Sequence, residues 1–148
     1  MIQFVISAVL LLSSFSKSEC IKVLQGKDAK AIQKQITAIE QSPVSSDRTA
    51  YLGALTMKSA SLKVTPKDKL EVFKKGKDLL EKAITANKKN TEYRFLRLMI
   101  QENAPKILKY SSNINEDATW IKEHYSKCSA EIIQAIKNYA AQSVVLDL

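Results

Sequence analysis

The fold of this chain is decided by residues 65–104, which read TPKDKLEVFKKGKDLLEKAITANKKNTEYRFLRLMIQENA. Thr65 is typical of a helix N-cap, Pro66 of the first helical position, and Asp68 would lie near the positive end of the helix dipole. A helix that begins there gathers its apolar and small residues on one face. They are Val72, Phe73, Gly76, Leu79, Leu80, Ala83 and Ala86. The opposite side is rich in lysine, including Lys74 and Lys75.

The next helix along the chain is predicted directly after the polar turn at residues 87–90. It begins at Thr91 and ends or kinks near Pro105, because proline cannot donate to the preceding turn. Its inward residues are Phe95, Leu96, Met99 and Ile100. Gly76 costs about 1 kcal/mol relative to alanine in the middle of the preceding helix, so we expect a close backbone contact there.

The helical periodicity continues on both sides of this pair. Residues 28–41 and 46–62 predict two helices before it, with Gly53 permitting a close neighbour, and a helix centred on Trp120 and one capped by Ser129 follow it. We therefore expect an all-α fold, a small bundle of about five to six helices that forms one domain over residues 19–148.

Composition agrees with one ordinary globular domain. Of the 148 residues 45% are hydrophobic and 26% are charged, which is far from the composition of disordered chains and of polytopic membrane proteins. Only 3 Gly and 3 Pro are present, which excludes collagen-like, linker-rich and tight-turn all-β chains.

The chain begins with an apolar run, MIQFVISAVLLL, followed by small polar residues. The run is shorter than the roughly 18 residues that a membrane-spanning helix needs, so we predict a signal peptide at residues 1–18 and export to the periplasm or the extracellular space. Cleavage could follow Ser16 or Ser18, and the second is favoured. Two alternatives stay open: a buried helix of a cytoplasmic protein, and lipid attachment at Cys20, which Glu19 before it disfavours.

Export would change the expected redox state of the two cysteines. In an oxidising compartment Cys20 and Cys128 could pair, which would stabilise the fold by about 4 kcal/mol on the chain-entropy model. The alternative is one buried thiol, Cys128, on the apolar face of its helix, and one disordered thiol near the mature N-terminus. Spacing does not decide between them.

The formal net charge is +8, and its excess is concentrated in one part of the chain. Between Lys63 and Lys109 there are 13 Lys or Arg against six Asp or Glu, a net +7. Such a face attracts acidic partners: an acidic peptide, an anionic lipid headgroup or a surface polymer. The alternative is a solvated face that keeps the protein soluble. Nucleic acid is not expected, because no exposed aromatic residues interleave the lysines.

Arg94, Arg97 and Gln101 are predicted to share one face of the helix that begins at Thr91. Two guanidinium groups there could hold a carboxylate, so we name these residues, with Lys74 and Lys75, as candidates for ligand binding. Alternatively the arginines pair with acidic residues of the chain itself, for which Glu102 and Glu71 are candidates.

No catalytic motif is found in the sequence. His124 and Cys128 have the spacing of half a zinc site, but no further Cys or His lies nearby, so we predict no metal and no cofactor. Phosphate-binding loops and nucleophile elbows are also missing from the sequence, and we expect a protein that is not an enzyme.

Residues 79–94, LLEKAITANKKNTEYR, resemble the end of one tetratricopeptide helix, the turn between repeats and the start of the next helix. Residues 50–55, AYLGAL, are similar to the first helix of such a unit, whereas Lys88 stands where the family usually has proline. Residues 92–97 and 101–105 resemble a segment of exported tetratricopeptide-like bacterial proteins without an assigned activity. The resemblance implies antiparallel helix-pair packing and a peptide as the typical ligand, bound in a groove.

One such pair cannot bury its apolar face alone, so we expect flanking helices to close the bundle or a dimer to complete it. The function that follows is an exported, non-catalytic adaptor that binds a protein or peptide in the groove lined by the second to fourth helices. The alternative is a peripheral envelope protein whose lysine-rich face binds anionic lipid or surface polymer.

Overall fold

The computed structural model describes residues 14–148, and every regular element in that range is helical, so the prediction of an all-α bundle is confirmed. The helices are α1 (Lys17–Gln25), α2 (Ala29–Glu40), α3 (Ser46–Ser59), α4 (Pro66–Ala86), α5 (Thr91–Asn103), α6 (Ile114–His124) and α7 (Ala130–Ala140). Short 3-10 turns lie at Ala60–Leu62, Lys106–Leu108 and Tyr125–Lys127. The described chain therefore has seven α-helices, where about five to six were expected.

Helix starts follow the sequence signals closely. The Thr65 hydroxyl accepts a hydrogen bond from the Asp68 amide at 3.1 Å, and Pro66 occupies the first turn of α4, as predicted. Asp28, Ser45, Asn90 and Ser129 cap their helices in the same manner. Each cap satisfies a backbone amide that has no partner within its helix.

Two glycines bring α3 and α4 into the most extensive helix contact of the described chain. A Cβ added at Gly53 would lie 2.6 Å from the backbone nitrogen of Leu80 and 2.7 Å from the carbonyl oxygen of Gly76. A Cβ added at Gly76 would lie 2.5 Å from the backbone nitrogen of Met57. The two backbones touch directly, which is the close contact that glycine in mid-helix predicted.

Helix α5 lies at the centre and contacts α1, α3, α4 and α6. Its residues from Tyr93 to Gln101 are all buried, polar as well as apolar. The predicted inward residues Phe95, Leu96, Met99 and Ile100 are among them. On α4, by contrast, Ala86 is exposed although the apolar stripe placed it inside, because the helix ends there.

The C-terminal segment closes the bundle over α5. Tyr139 of α7 packs edge-on against Phe95 with ring centroids 5.6 Å apart, and its hydroxyl donates to Glu102 at 2.6 Å. The same carboxylate accepts from the Ser143 hydroxyl and from the Val144 amide at 2.8 Å. This places Leu146 in the core, at 1% exposure.

Helix α1 was not predicted, because its first residues were assigned to the signal peptide. Most of that predicted segment, residues 1–13, lies outside the described residues, but Phe15, Ser16 and Lys17 belong to the fold. Phe15 packs on Tyr51 with centroids 5.2 Å apart, and Ser16 caps α1. Cleavage after Ser18 would remove all three residues.

Lys17 connects α1 to the starts of α3 and α5. Its ammonium group lies 2.8 Å from Asp47 and 3.0 Å from Glu92. Burial alone would lower the pKa of Lys17, but the hydrogen bonds to the two carboxylates outweigh it and raise the pKa. For Asp47, burial opposes ionisation, yet the hydrogen bonds from Lys17 and Tyr93 leave its pKa lowered.

The glycine contact predicts that Gly53→Ala and Gly76→Ala each lower the free energy of unfolding by about 2 kcal/mol, because the opposing backbone cannot move aside. The gain in helix propensity, about 1 kcal/mol, offsets only part of the clash. Urea unfolding followed by circular dichroism measures the difference. Gly26→Ala is the control, since its Cβ would lie 3.7 Å from the nearest neighbouring atom, the Val23 carbonyl oxygen, which is an ordinary van der Waals contact. An equal loss in all three variants would contradict the interpretation.

Lys17→Met is predicted to lower the free energy of unfolding by about 1 kcal/mol at neutral pH. The pKa of Asp47 in the folded state lies below its unfolded value. The contribution of ionised Asp47 to the free energy of unfolding is therefore complete above pH ~4 and is lost as the pH falls further. The difference between Lys17→Met and the unmodified chain should therefore shrink in acid. Lys22→Met, on the exposed side of the same helix, should change little at either pH.

Candidate functional site

A groove of about 530 Å³ opens where the C-terminal ends of α3 and α5 meet the beginning of α4. Its buried lining is apolar and includes Met57, Phe73, Met99 and Ile100. Volumes in this range are typical of ligand sites. The three helices correspond to the second to fourth helices of the sequence prediction, between which we expected a groove.

The rim of the groove carries aliphatic side chains that remain in water. Ile107 is 87% exposed and Leu70 is 42% exposed. Leu62 and Val64 are also exposed: Leu62 ends the 3-10 turn that lines the groove, and Val64 lies between that turn and α4. Four of the seven large hydrophobic residues exposed in the described chain thus belong to this region. Exposed apolar residues that cluster in this manner are typical of binding surfaces.

The turn after α5 explains how Ile107 reaches the rim. Ala104 is extended before Pro105, which ends the helix, and one 3-10 turn follows. Lys109 then adopts φ 49° in the left-handed region and returns the chain to Tyr110, which is buried. Leu108 packs against the core, whereas Ile107 points away from it into solvent.

Two lysines, Lys58 of α3 and Lys69 of α4, line the same groove. Lys58 is half-buried, and desolvation together with the nearby charge of Lys27 lowers its pKa. Among residues 14–148, no carboxylate forms an ion pair with either lysine. The groove is therefore apolar at its base and positively charged at its edge.

The structure places Arg94 and Arg97 away from this groove, facing the first turn of α6. Arg97 holds Asp117 in a bidentate pair, with its Nε 2.6 Å from Oδ2 and its Nη2 2.8 Å from Oδ1. Arg94 contacts the same carboxylate at 3.1 Å and Glu116 at 3.0 Å. Asp117 has no exposed surface. Burial opposes the charge of Arg97, but the hydrogen bond and charge of Asp117 raise its pKa above the usual value.

Gln101, the third residue of the predicted set, also faces the beginning of α6. Its amide nitrogen donates to the Asn113 side chain at 3.1 Å, and its carbonyl oxygen accepts from the Asn113 amide at 3.2 Å. All three residues of that set are buried and bind the N-terminal end of α6. A ligand carboxylate would first have to displace Asp117 from them, and ligand binding by these residues stays a prediction.

Arg94 and Arg97 pair with carboxylates of the chain itself, as the alternative prediction stated. Their partners are not the two candidates, Glu71 and Glu102. Glu71 pairs with Lys67 at 3.9 Å, and Glu102 accepts hydrogen bonds from Tyr139 and the residues that follow it. Arg97 instead reaches Glu81 of α4 at 3.1 Å in addition to Asp117. Helix α5 is therefore joined to both α4 and α6 by charge.

Lys74 and Lys75 lie exposed on α4, outside the groove lining. The structure does not bring them together with Arg94 and Arg97, which are buried. Of the groove residues, the sequence predicted Phe73, Met99 and Ile100 only as core residues, and Lys58, Leu70 and Ile107 were not predicted at all. Leu70 lies off the apolar face of α4 that begins at Val72. An apolar residue outside the predicted inward face was the sequence signal that could have indicated this surface.

Both cysteines are free thiols. Cys20 is fully buried in α1, and its thiol donates weakly to the Gln35 side chain at 3.8 Å, so it is not the disordered thiol of the alternative prediction. Burial, with the charge of Glu19, raises the pKa of Cys20 to about 12. Cys128, which the helical pattern placed in the core, lies at the end of a 3-10 turn and is only partly buried.

His124 interacts with its own helix. Its ring stacks on Trp120 at 4.0 Å between centroids, and its Nδ1 lies 2.8 Å from the Trp120 carbonyl oxygen. The guanidinium group of Arg94 also lies over the Trp120 ring, 4.6 Å from its centroid. Within the described residues, no three His, Cys, Asp or Glu side chains gather as a metal site requires. In the same range, no helix has the length and hydropathy needed to cross a bilayer.

Asp117→Asn is predicted to lower the free energy of unfolding by about 3–5 kcal/mol, because it leaves two buried guanidinium groups without a full counter-charge. Glu116→Gln is the matched control: its carboxylate is 63% exposed, so its loss should cost about 1 kcal/mol or less. Equal losses in the two variants, measured by chemical unfolding, would mean that the buried pair does not hold α6 on α5.

Comparisons with protein-family models, with curated proteins and with solved structures gave no match.

Proposed function

We propose that this chain is a non-catalytic binding protein that holds an apolar segment of a partner protein or peptide in the groove between α3, α4 and α5. One observation carries the proposal: the aliphatic rim, Leu70 and Ile107, remains in water beside an apolar groove. A partner that covers this region removes apolar surface from water, which favours association by about 25 cal/mol per Å².

The composition of the groove suits a polypeptide. Met57 and Met99 are flexible and polarizable, so they adapt to the shape of different side chains. Lys58 and Lys69 at the edge favour a partner with acidic residues. A tetratricopeptide-like role belongs to the same proposal, with α4 and α5 as the recognisable pair, because peptides are the typical ligands of that family.

Export is part of the proposal, with a refinement of the cleavage site. The contacts of Lys17 with Asp47 and Glu92 argue against cleavage after Ser18, which would leave two carboxylates without their cation. Of the two sites predicted, cleavage after Ser16 keeps Lys17 in the mature chain. The proposed location, the periplasm or the extracellular space, depends on this processing.

A second candidate function uses the lysine-rich surface of α4 instead of the groove. Lys67, Lys74, Lys75 and Lys82 are exposed, and within residues 14–148 only Lys67 of these pairs with a carboxylate. Such a surface suits anionic lipid or surface polymer, and its binding would weaken as salt is added. Binding in the groove depends on apolar contact and would keep most of its affinity in salt.

Ile107→Asp is predicted to abolish capture of the partner by the immobilised protein without changing its helical content, because the residue is exposed and supports no core contact. Val144→Asp provides the matched control, since Val144 is 93% exposed and lies outside the groove. Quantitative mass spectrometry of proteins retained from an envelope extract, at low and at high salt, compares the two variants. Retention of the same proteins by both variants would refute the groove as the binding site.

A further inference from the structure

The groove contains a cation for which the described chain provides no anion. Lys58 lies in the groove wall, half-buried, beside Met57 and Ala60 of the same helix end. The neighbouring charge is Lys27, which repels it, and no carboxylate of residues 14–148 lies within ion-pair distance. A half-buried ammonium group without a counter-charge is less favourable than a fully solvated one, and an anion brought by a ligand would relieve that cost.

On this basis we infer that the groove takes an amphipathic helix with acidic residues beside its apolar face, one of which pairs with Lys58. The inference rests on the proposed function and names the class of its partner. Lys69 of α4 offers a second cation in the groove lining. Two cations beside an apolar base fit a helix whose apolar stripe is bordered by Glu or Asp.

The extent of the apolar surface favours a helix over a single acyl chain. An acyl chain would fill the base, at Met57, Phe73 and Met99, but would leave the rim in water. A helix has a diameter of about 10–12 Å with its side chains, so it covers the base and also reaches Leu70 and Ile107. Residues at positions i, i+3, i+4 and i+7 of the ligand would provide the contacts.

The contact between Lys58 and a ligand carboxylate would also fix the register of the bound helix. A carboxylate on a helix can meet Lys58 only when the apolar residues next to it in the helical pattern face the groove base. Discrimination between acidic and basic helices then comes from Lys58 and Lys69, since a lysine in the ligand would repel both. Affinity comes mainly from the apolar contacts.

The test uses a fluorescein-labelled synthetic helix of ~16 residues, about 24 Å long, with Leu on one face and Glu on both flanks. A second peptide has Lys in place of every Glu, and dodecanoate offers a carboxylate on an acyl chain. Fluorescence anisotropy with the full chain should show that the acidic peptide binds at least about tenfold more tightly than the basic one.

Two variants test whether the acidic peptide contacts Lys58. Lys58→Gln should weaken binding of the acidic peptide about tenfold and leave the weak binding of the basic peptide unchanged or slightly improved. Lys34→Gln, at an exposed lysine of α2 outside the groove, should have no effect beyond about twofold. Circular dichroism checks that each variant keeps its helices.

The outcomes separate this inference from the proposed function. Equal binding of both peptides, lost in Ile107→Asp, would overturn the acidic preference while keeping the groove. Binding of dodecanoate, or of vesicles of anionic lipid, through Lys58 without binding of either peptide would overturn the helix as the occupant. Peptide binding that is unchanged in Ile107→Asp would refute the groove itself.

Discussion

The contact between Gly53 and Gly76 is the constraint on which the rest of the structure depends. Backbone atoms of α3 and α4 lie where a methyl group would be, so the two helices have one relative position at that point. Side chains can adjust to a neighbour by changing rotamer, whereas two backbones in contact cannot. The other helices pack around this fixed pair: α1, α2 and α5 all contact α3.

The groove follows from that constraint and from two prolines. Helix α3 ends at Ser59, a few residues beyond the glycine contact, and the chain turns through Ala60–Leu62 before Pro66 starts α4. Pro105 ends α5 at the same end of the bundle. Within residues 14–148, no further helix covers the place where these three helix ends meet, and the apolar residues there line a groove. The opposite end of α5 is closed by Lys17, which pairs with Glu92.

Local signals in the sequence predicted most of the helices but not the environment of α5. Caps such as Thr65 and breaks such as Pro105 act within a few residues, so they can be read without knowing the fold. The apolar stripe of α5 was predicted correctly, yet its polar side is buried as well, because α6 covers it. No periodicity in the sequence shows that Asp117, more than twenty residues downstream of Arg94, will return to neutralise two arginines. Lys17 was missed because it was assigned to the signal peptide, and its partners, Asp47 and Glu92, are too distant in sequence to indicate otherwise.

The burial of Arg94 and Arg97 also changes how much of the positive charge between Lys63 and Lys109 is available to a partner. Of its 13 Lys or Arg residues, these two carry structural charge that Asp117, Glu81 and Glu116 balance, and the remaining eleven are lysines. Most of the lysines on α4 are solvated, which costs little and selects no particular partner. Lys58, which lies before that segment, differs because it is half-buried and adjoins an apolar surface. A ligand gains more from one such group than from several solvated charges, since the interaction strengthens as water is excluded. For this reason recognition is expected to depend on the position of a single lysine at the groove more than on the net charge of the face.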